Sequence, residues 1–218
     1  MTDPTKHKGA SAADPIYRTL KDSILSGALA AEEPLRQNEI ARTHGVSKIP
    51  VREALRRLEV EGLVTFRKNR GATVRRMSEA EILQLLDIRV ALECRALELA
   101  VENMIDADFR EMAALLDGYT CDASIVAWSE MNRRFHHMLY EPCGNPVLLS
   151  MITDLQQKLG PYLRLLVTEA SGAERPNREH AAILQACQRS DTPKAAELLR
   201  QHIETTKKEV AAFLRRSG

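Results

Sequence analysis

The sequence predicts a mostly α-helical chain in two parts. A small N-terminal unit of helices with two short strands precedes a C-terminal bundle of six antiparallel helices. Three observations carry this. Apolar residues recur every three or four positions along most of the chain, the spacing of a helix with one buried stripe. Leu, Ala, Glu and Arg dominate, and only 4% of residues are aromatic, which favours helix. The charge also changes sign: residues 1–76 hold 15 Lys+Arg against 9 Asp+Glu, net +6, whereas 77–218 hold 16 against 21, net −5. A basic first third on an acidic remainder fits a nucleic-acid-binding head on a body that binds something else.

With 218 residues the chain is long enough for two modest domains or one large one, and 44% hydrophobic with 28% charged is ordinary for a soluble globular protein. No run of about eighteen apolar residues exists, so no membrane span is expected. Met1 to Ala13 is polar and lacks the apolar core of a secretory signal. Cys94, Cys121, Cys143 and Cys187 are widely spaced without a CxxC pair, which fits a reducing cytoplasm better than a disulfide framework.

Taken in order, residues 1–14 read as a disordered tail, and residues 15–76 as the first domain. From Pro15 an amphipathic helix runs through Ile16, Leu20, Ile24 and Leu25 to about Gly27. Residues 30–35 read as a connector. A short helix follows from about Gln37 to His44, with Ile40 and Ala41 facing inward. Gly45 supplies the turn, and Ser47 stands where it can cap the next helix by accepting a backbone N–H. Pro50 falls in the first turn, where its missing N–H costs nothing. Val51, Ala54, Leu55 and Leu58 form the apolar stripe, and Gly62 ends the helix. Leu63-Val64-Thr65-Phe66 and Ala72-Thr73-Val74 read as strands around a basic turn. Helix, turn, second helix and two-stranded wing is the order of a winged helix-turn-helix, which offers its second helix to the DNA major groove.

The chemistry fits that use. Lys48 and Arg52 are four apart and share the face opposite the Val51/Leu55/Leu58 stripe. At the start of a helix in the groove, Arg52 can reach guanine O6 and N7, and Lys48 a phosphate or guanine. Ser47 and the free N–H groups of the first turn suit a phosphate oxygen. Arg70 at the wing tip would lie over the minor groove, with Gly71 permitting a tight turn. The plain alternative is that Arg52, Arg56 and Arg57 form a solvated helix face.

From Ile16 to Val74 the chain resembles the winged helix-turn-helix of GntR-family bacterial transcription regulators. The matching residues are Ile24-Leu25-Ser26-Gly27, Leu35, Ile40-Ala41, Gly45-Val46-Ser47, Pro50-Val51-Arg52-Glu53-Ala54-Leu55, Leu58, Glu61-Gly62-Leu63-Val64 and Gly71-Ala72-Thr73-Val74. The resemblance implies that Arg52 contacts a base and that Lys48 replaces a more usual arginine. Gly71 and the residue before it would make the wing contact. Asn38 occupies a place where several members carry a DNA-contacting arginine, a departure that shifts operator preference.

Residues 77–218 read as helical throughout. Ser78-Glu79-Ala80-Glu81 is a capping box opening a helix to about Met104. Further helices are expected at about 106–119, 124–140, 146–168, 173–189 and 192–215, with Asn145-Pro146 and Asp191-Thr192-Pro193 as starts and Ser171-Gly172 as a break. Six such helices pack as a bundle. His136, His180 and His202 fall on three of them, and Asn132 lies one turn before His136 on the same face. His137 is rotated about a hundred degrees away. By spacing alone the histidines fit either a metal constellation or ordinary surface and core positions.

The body resembles the FCD ligand-sensing domain of FadR-type GntR regulators, on Arg89-Val90-Ala91-Leu92-Glu93, Asn132-Arg133-Arg134-Phe135-His136, Gly144-Asn145-Pro146, Glu179-His180 and His202-Ile203. Six helices rather than seven make it look like the VanR-type subgroup. The resemblance implies a divalent metal, zinc by default with nickel, manganese or iron as alternatives, held by Asn132, His136, His180 and His202. Asn132 replaces the more usual aspartate; its neutral amide lowers affinity and shifts metal preference. A small carboxylate effector is implied at the metal, with Arg89 a candidate for its anionic group. Arg89 and Glu93 equally fit a simple i,i+4 ion pair.

The expected whole is a cytoplasmic homodimeric regulator, a repressor, reading a palindromic double-stranded DNA operator and answering to a small organic acid. A metal-free regulator is the alternative. A metalloenzyme on a helical bundle is less favoured, because no HExxH motif exists and no carboxylate is obviously placed as general base; Glu179 beside His180 points to a different helical face.

Overall fold

The computed structural model describes residues 11–67, 71–118, 125–166 and 174–217. It divides into two compact units, Met1–Met77 and Ser78–Gly218.

In the first unit, α1 (Ala13–Ser26) buries Ala13, Ile16, Leu20 and Ile24, a stripe at helical spacing. It begins earlier than the sequence reading placed it. Ala13 is fully buried in the core, and Ser11 Oγ accepts its N–H at 3.2 Å. The expected disordered tail is therefore corrected at residues 13 and 14; its first ten residues lie outside the described ones. Next come β1 (Pro34–Leu35), α2 (Gln37–Thr43) and α3 (Lys48–Val60), then β2 (Val64–Arg67) and β3 (Gly71–Val74). The connector at 30–35 thus ends in a strand the sequence reading missed, because two residues show no alternation. Leu35, 5% exposed, pairs with Ala72, and the sheet order is β1-β3-β2.

Gly45 takes φ +63° in the turn between α2 and α3, a left-handed conformation that a Cβ disfavours. Val51, Ala54, Leu55 and Leu58 are all fully buried; each leucine contributes roughly 1.5–3 kcal/mol by leaving water. Ser47 holds the N-cap place of α3, but its hydroxyl accepts no cap bond. Part of the reason is local. An N-cap side chain takes the N–H two or three residues on; Pro50, the third, has none, which leaves only that of Ile49, and the hydroxyl does not take it.

The second unit is all helical: α4 (Glu79–Val101), α5 (Asp106–Asp117), α6 (Ile125–Tyr140), α7 (Pro146–Leu166), α8 (Glu174–Gln188) and α9 (Thr192–Ser217). Its caps follow the sequence. Ser78 Oγ accepts the Glu81 N–H at 3.2 Å, Asn145 Oδ1 that of Leu148 at 3.1 Å, and Asp191 Oδ1 that of Lys194 at 3.1 Å. The expected break at Ser171-Gly172 lies outside the described residues. The long α4 packs along α9 and against α6 and α7, while α8 covers α9 and α5. Ile82, Leu86, Val90, Cys94, Leu97 and Val101 run as one buried line down α4. Among the described residues no helix is long and apolar enough to cross a membrane.

Candidate DNA-binding face and metal centre

On the first unit, Asn38 from α2, Lys48 and Arg52 from α3 and Gly71 from β3 line one concave surface with Arg36 and Gln37. Gly71 adopts φ +75° at the start of β3, so the wing can turn sharply there. Arg70 lies outside the described residues. Ser47 is exposed and Pro50 half-buried at the mouth of α3.

The four cations of α3 divide into two sets. Arg57 binds Asp14 at 2.6 Å and lies 4.1 Å from the Tyr17 ring centroid, which fastens α3 to α1. Its charge is favoured first by the hydrogen bond to Asp14, and its pKa is raised. Arg56 binds Glu59 at 2.7 Å and covers the Phe66 ring at 4.5 Å, tying α3 to β2. Lys48 and Arg52 make no ion pair or side-chain hydrogen bond among the described residues. Between them Ile49 is 79% exposed, a large apolar side chain facing outward that the sequence reading passed over. Its only signal was a polar-face position on the helical wheel filled by an aliphatic residue.

The second unit brings His136 (α6), His180 (α8) and His202 (α9) into one buried cluster. One ring nitrogen of each lies within 4.8 Å of the others, and none of the three is more than 6% exposed. Asn132 is half-buried one turn before His136. His137 is exposed and lines a separate cleft with Arg133, as its rotation around α6 requires. Burial first, then the neighbouring imidazoles and Arg89, hold the His136 pKa well below its usual value. Burial first, with His202 and the arginines adding, does the same for His180. Both are neutral at pH 7, the form that ligates. Phe135 stacks on His180 with centroids 4.5 Å apart.

Two relays back the histidines, and of their links the sequence indicates only the Arg89–Glu93 pair. In the first, Glu93 is fully buried and accepts four bonds: Arg89 Nε at 2.7 Å, Arg89 Nη2 at 3.1 Å, Gln156 Nε2 at 3.0 Å and Tyr140 Oη at 2.7 Å. Tyr140 Oη also lies 3.0 Å from His136 Nδ1. Burial opposes the Arg89 charge, but attraction to Glu93 outweighs it and the guanidinium pKa is raised. Burial, then Glu93, pushes the Tyr140 hydroxyl well above its ordinary value, so it keeps its proton. In the second relay, Glu179 Oε2 lies 2.6 Å from His202 Nδ1, and Arg175 bridges Glu179 at 2.8 Å and Glu209 at 2.6 Å. Burial works to raise the Glu179 pKa, but bonds to His202 and Arg175 overcome it and lower it. Arg89, the effector-binding candidate, is 4% exposed with its guanidinium already committed to Glu93.

These residues fit a divalent ion. His136 Nε2 is buried without a hydrogen-bond partner in the described residues, as a ligating nitrogen awaiting its ion would be. Donors on a tetrahedral ion at about 2.1 Å stand roughly 3.4 Å apart, so the nitrogens, all within 4.8 Å of one another, need to close by about 1.4 Å at most. Three imidazoles from three helices leave a further position open, the pattern of a site that also takes a ligand.

The comparisons with known proteins agree with both halves. Residues 12–74 match the family described as bacterial regulatory proteins, gntR family, and residues 84–205 match the FCD domain. The chain is 33% identical over 200 residues to the HTH-type transcriptional repressor GlaR of Escherichia coli K12, covering 87% of this chain and 91% of that one. It is 30% identical over 213 residues to the uncharacterized HTH-type transcriptional regulator BphR of Paraburkholderia xenovorans LB400, covering 93% and 86%. Among solved structures, E. coli McbR/YncC shares the fold with a TM-score of 0.74 at 24% identity, over 96% of this chain and 100% of that one. The chain belongs to the GntR family of bacterial regulatory proteins, with an FCD domain as its C-terminal part.

Proposed function

We propose that this chain is a homodimeric, ligand-responsive repressor of the VanR-like subgroup. It binds a palindromic operator through its first unit and a small organic acid through a metal site in its second. The observation that carries the DNA reading is the division of α3 cations: two hold the domain together, and Lys48 and Arg52 are left facing outward beside Asn38 and Gly71. Arg52 is assigned to a guanine edge, Lys48 to guanine or phosphate, and Ser47, spared from capping, to phosphate together with the α3 N-terminus. Pro50 sets the first-turn geometry. Arg70 and Gly71 serve the wing. Ile49 offers apolar surface for a thymine methyl, the one apolar group the major groove presents.

In the body, His136, His180 and His202 with Asn132 are assigned to zinc, or to nickel, manganese or iron. When bound, such an ion supplies a Lewis acid that takes a carboxylate by expanding its coordination beyond these four donors. Arg89 serves the effector only by releasing Glu93, so its first task is to neutralise that buried carboxylate. The carboxylates beside the cluster, Glu93 and Glu179, are both held by arginines, which favours sensing over turnover.

Selection of the purified dimer on a random duplex DNA library tests the reading. A palindromic consensus bound with a steep salt dependence is expected. Failure to enrich any sequence from wild-type protein would sink it. Native mass spectrometry of protein purified without chelator reads stoichiometry and bound metal in the same preparation.

A further inference from the structure

We propose that Tyr140 and Glu179 are positioning residues that fix His136 and His202 as Nδ1–H tautomers, so that both Nε2 lone pairs face the centre shared with His180. The inference deepens the proposed metal site and rests on that reading for its use, but not for its geometry.

The assignment follows from counting protons. Glu93 faces the Arg89 guanidinium and the Gln156 amide, groups that can only donate to it here, and accepts from every partner. Tyr140 has one proton, and it goes to Glu93 Oε2 at 2.7 Å. The contact at 3.0 Å between Tyr140 Oη and His136 Nδ1 therefore runs the other way: the imidazole donates and the phenol oxygen accepts. His136 carries its proton on Nδ1, and Nε2 is left with a lone pair. Of the two His136 ring nitrogens, it is Nε2 that is buried without a hydrogen-bond partner among the described residues. On the opposite side, Glu179 is held by Arg175 and also only accepts, so His202 Nδ1 donates to it at 2.6 Å. Its Nε2 is likewise free of a proton when the ring is neutral.

Each relay ends in an arginine, Arg89 or Arg175, and each spans two helices, α4 to α6 and α8 to α9. Two ligands donated by different helices are thereby oriented before any ion arrives. Without the relays each neutral ring would favour its Nε2–H form or flip, and the ion would have to pay for reorientation. A partner of this kind on the outer nitrogen typically changes metal affinity by about 10- to 100-fold when removed.

Long-range proton–nitrogen NMR of the full-length chain, labelled with ¹⁵N-histidine and freed of metal, reads the tautomers directly. Wild-type protein should show His136 and His202 protonated on Nδ1. Tyr140→Phe, nearly isosteric, should release His136 alone, and Glu179→Ala should release His202 alone. Glu179→Gln keeps an acceptor oxygen and should restore the His202 tautomer, whereas Glu179→Met fills similar space without one and should not. Zinc competition against a chromophoric chelator should then show weaker binding by about 10-fold or more for Tyr140→Phe and Glu179→Ala, and near-wild-type binding for Glu179→Gln. An Nε2–H tautomer at either histidine in wild-type protein overturns the proposal. So does unchanged zinc affinity in both loss variants. Wild-type protein that shows the expected tautomers yet takes up no zinc supports the positioning and overturns only the metal reading.

Discussion

Glu93 stands one helical turn after Arg89 on α4 and accepts its guanidinium in two hydrogen bonds, with the pair 0% and 4% exposed. A buried ion pair of this kind is costly to break from one side. Glu93→Leu leaves the guanidinium uncompensated and Tyr140 and Gln156 without their acceptor, and it should destabilise the bundle by about 3–5 kcal/mol. The double variant Arg89→Leu/Glu93→Leu should recover much of that loss, because no buried charge remains. Denaturant titration of the three proteins checks both statements.

Arg52 and Arg57 lie on one helix and should respond in opposite ways. Arg52→Ala removes a side chain with no partner among the described residues; it should weaken operator binding by roughly ten-fold or more and leave thermal stability unchanged. Arg57→Ala breaks the contacts to Asp14 and Tyr17 and should lower the melting temperature of the first unit. Its intrinsic operator affinity, measured well below that temperature, should remain near wild type. Gel-shift and melting assays on the two variants separate these effects, and an identical profile for both would refute the division of α3.

Ile49 tests base reading rather than charge. Replacing one operator thymine by deoxyuridine removes only the methyl group. At the position Ile49 meets, that change should weaken wild-type binding several-fold and have little effect on Ile49→Ala. Additive losses at every thymine would assign the methyl contact elsewhere.

For the histidine cluster, single alanine variants of His136, His180 and His202 should each abolish retained metal in native mass spectra. Asn132→Asp supplies a charged oxygen where the amide stands and should tighten zinc binding. His137→Ala, on the exposed side of α6, should change nothing.

Most of the chain's architecture was legible because it is local. The stripe Val51/Ala54/Leu55/Leu58, the caps at Ser78, Asn145 and Asp191, and the turn at Gly45 are each set by residues within a turn or two of one another. The two-residue β1 was missed because its only cause is its partner: Leu35 becomes a strand by pairing with Ala72, thirty-seven positions away. Ser47 stands at the N-cap without a cap bond; Pro50 removes one of its two possible partners, and the other, the Ile49 N–H, goes unused.

By itself the sequence determined the order of the helices and of the two wing strands, the basic head and acidic body, the shared face of Lys48 and Arg52, and the three histidines on separate helices. Helical periodicity and charge are properties of neighbouring residues, so one dimension contains them. What stands behind the histidines was decided only in three dimensions. Glu93 meets Tyr140 across 47 positions and Gln156 across 63, and Glu179 meets His202 across 23. Helical phase indicates which side a residue takes, but only the packing of α4 against α6 and α7, and of α8 against α9, fixes which side chains then share a hydrogen bond.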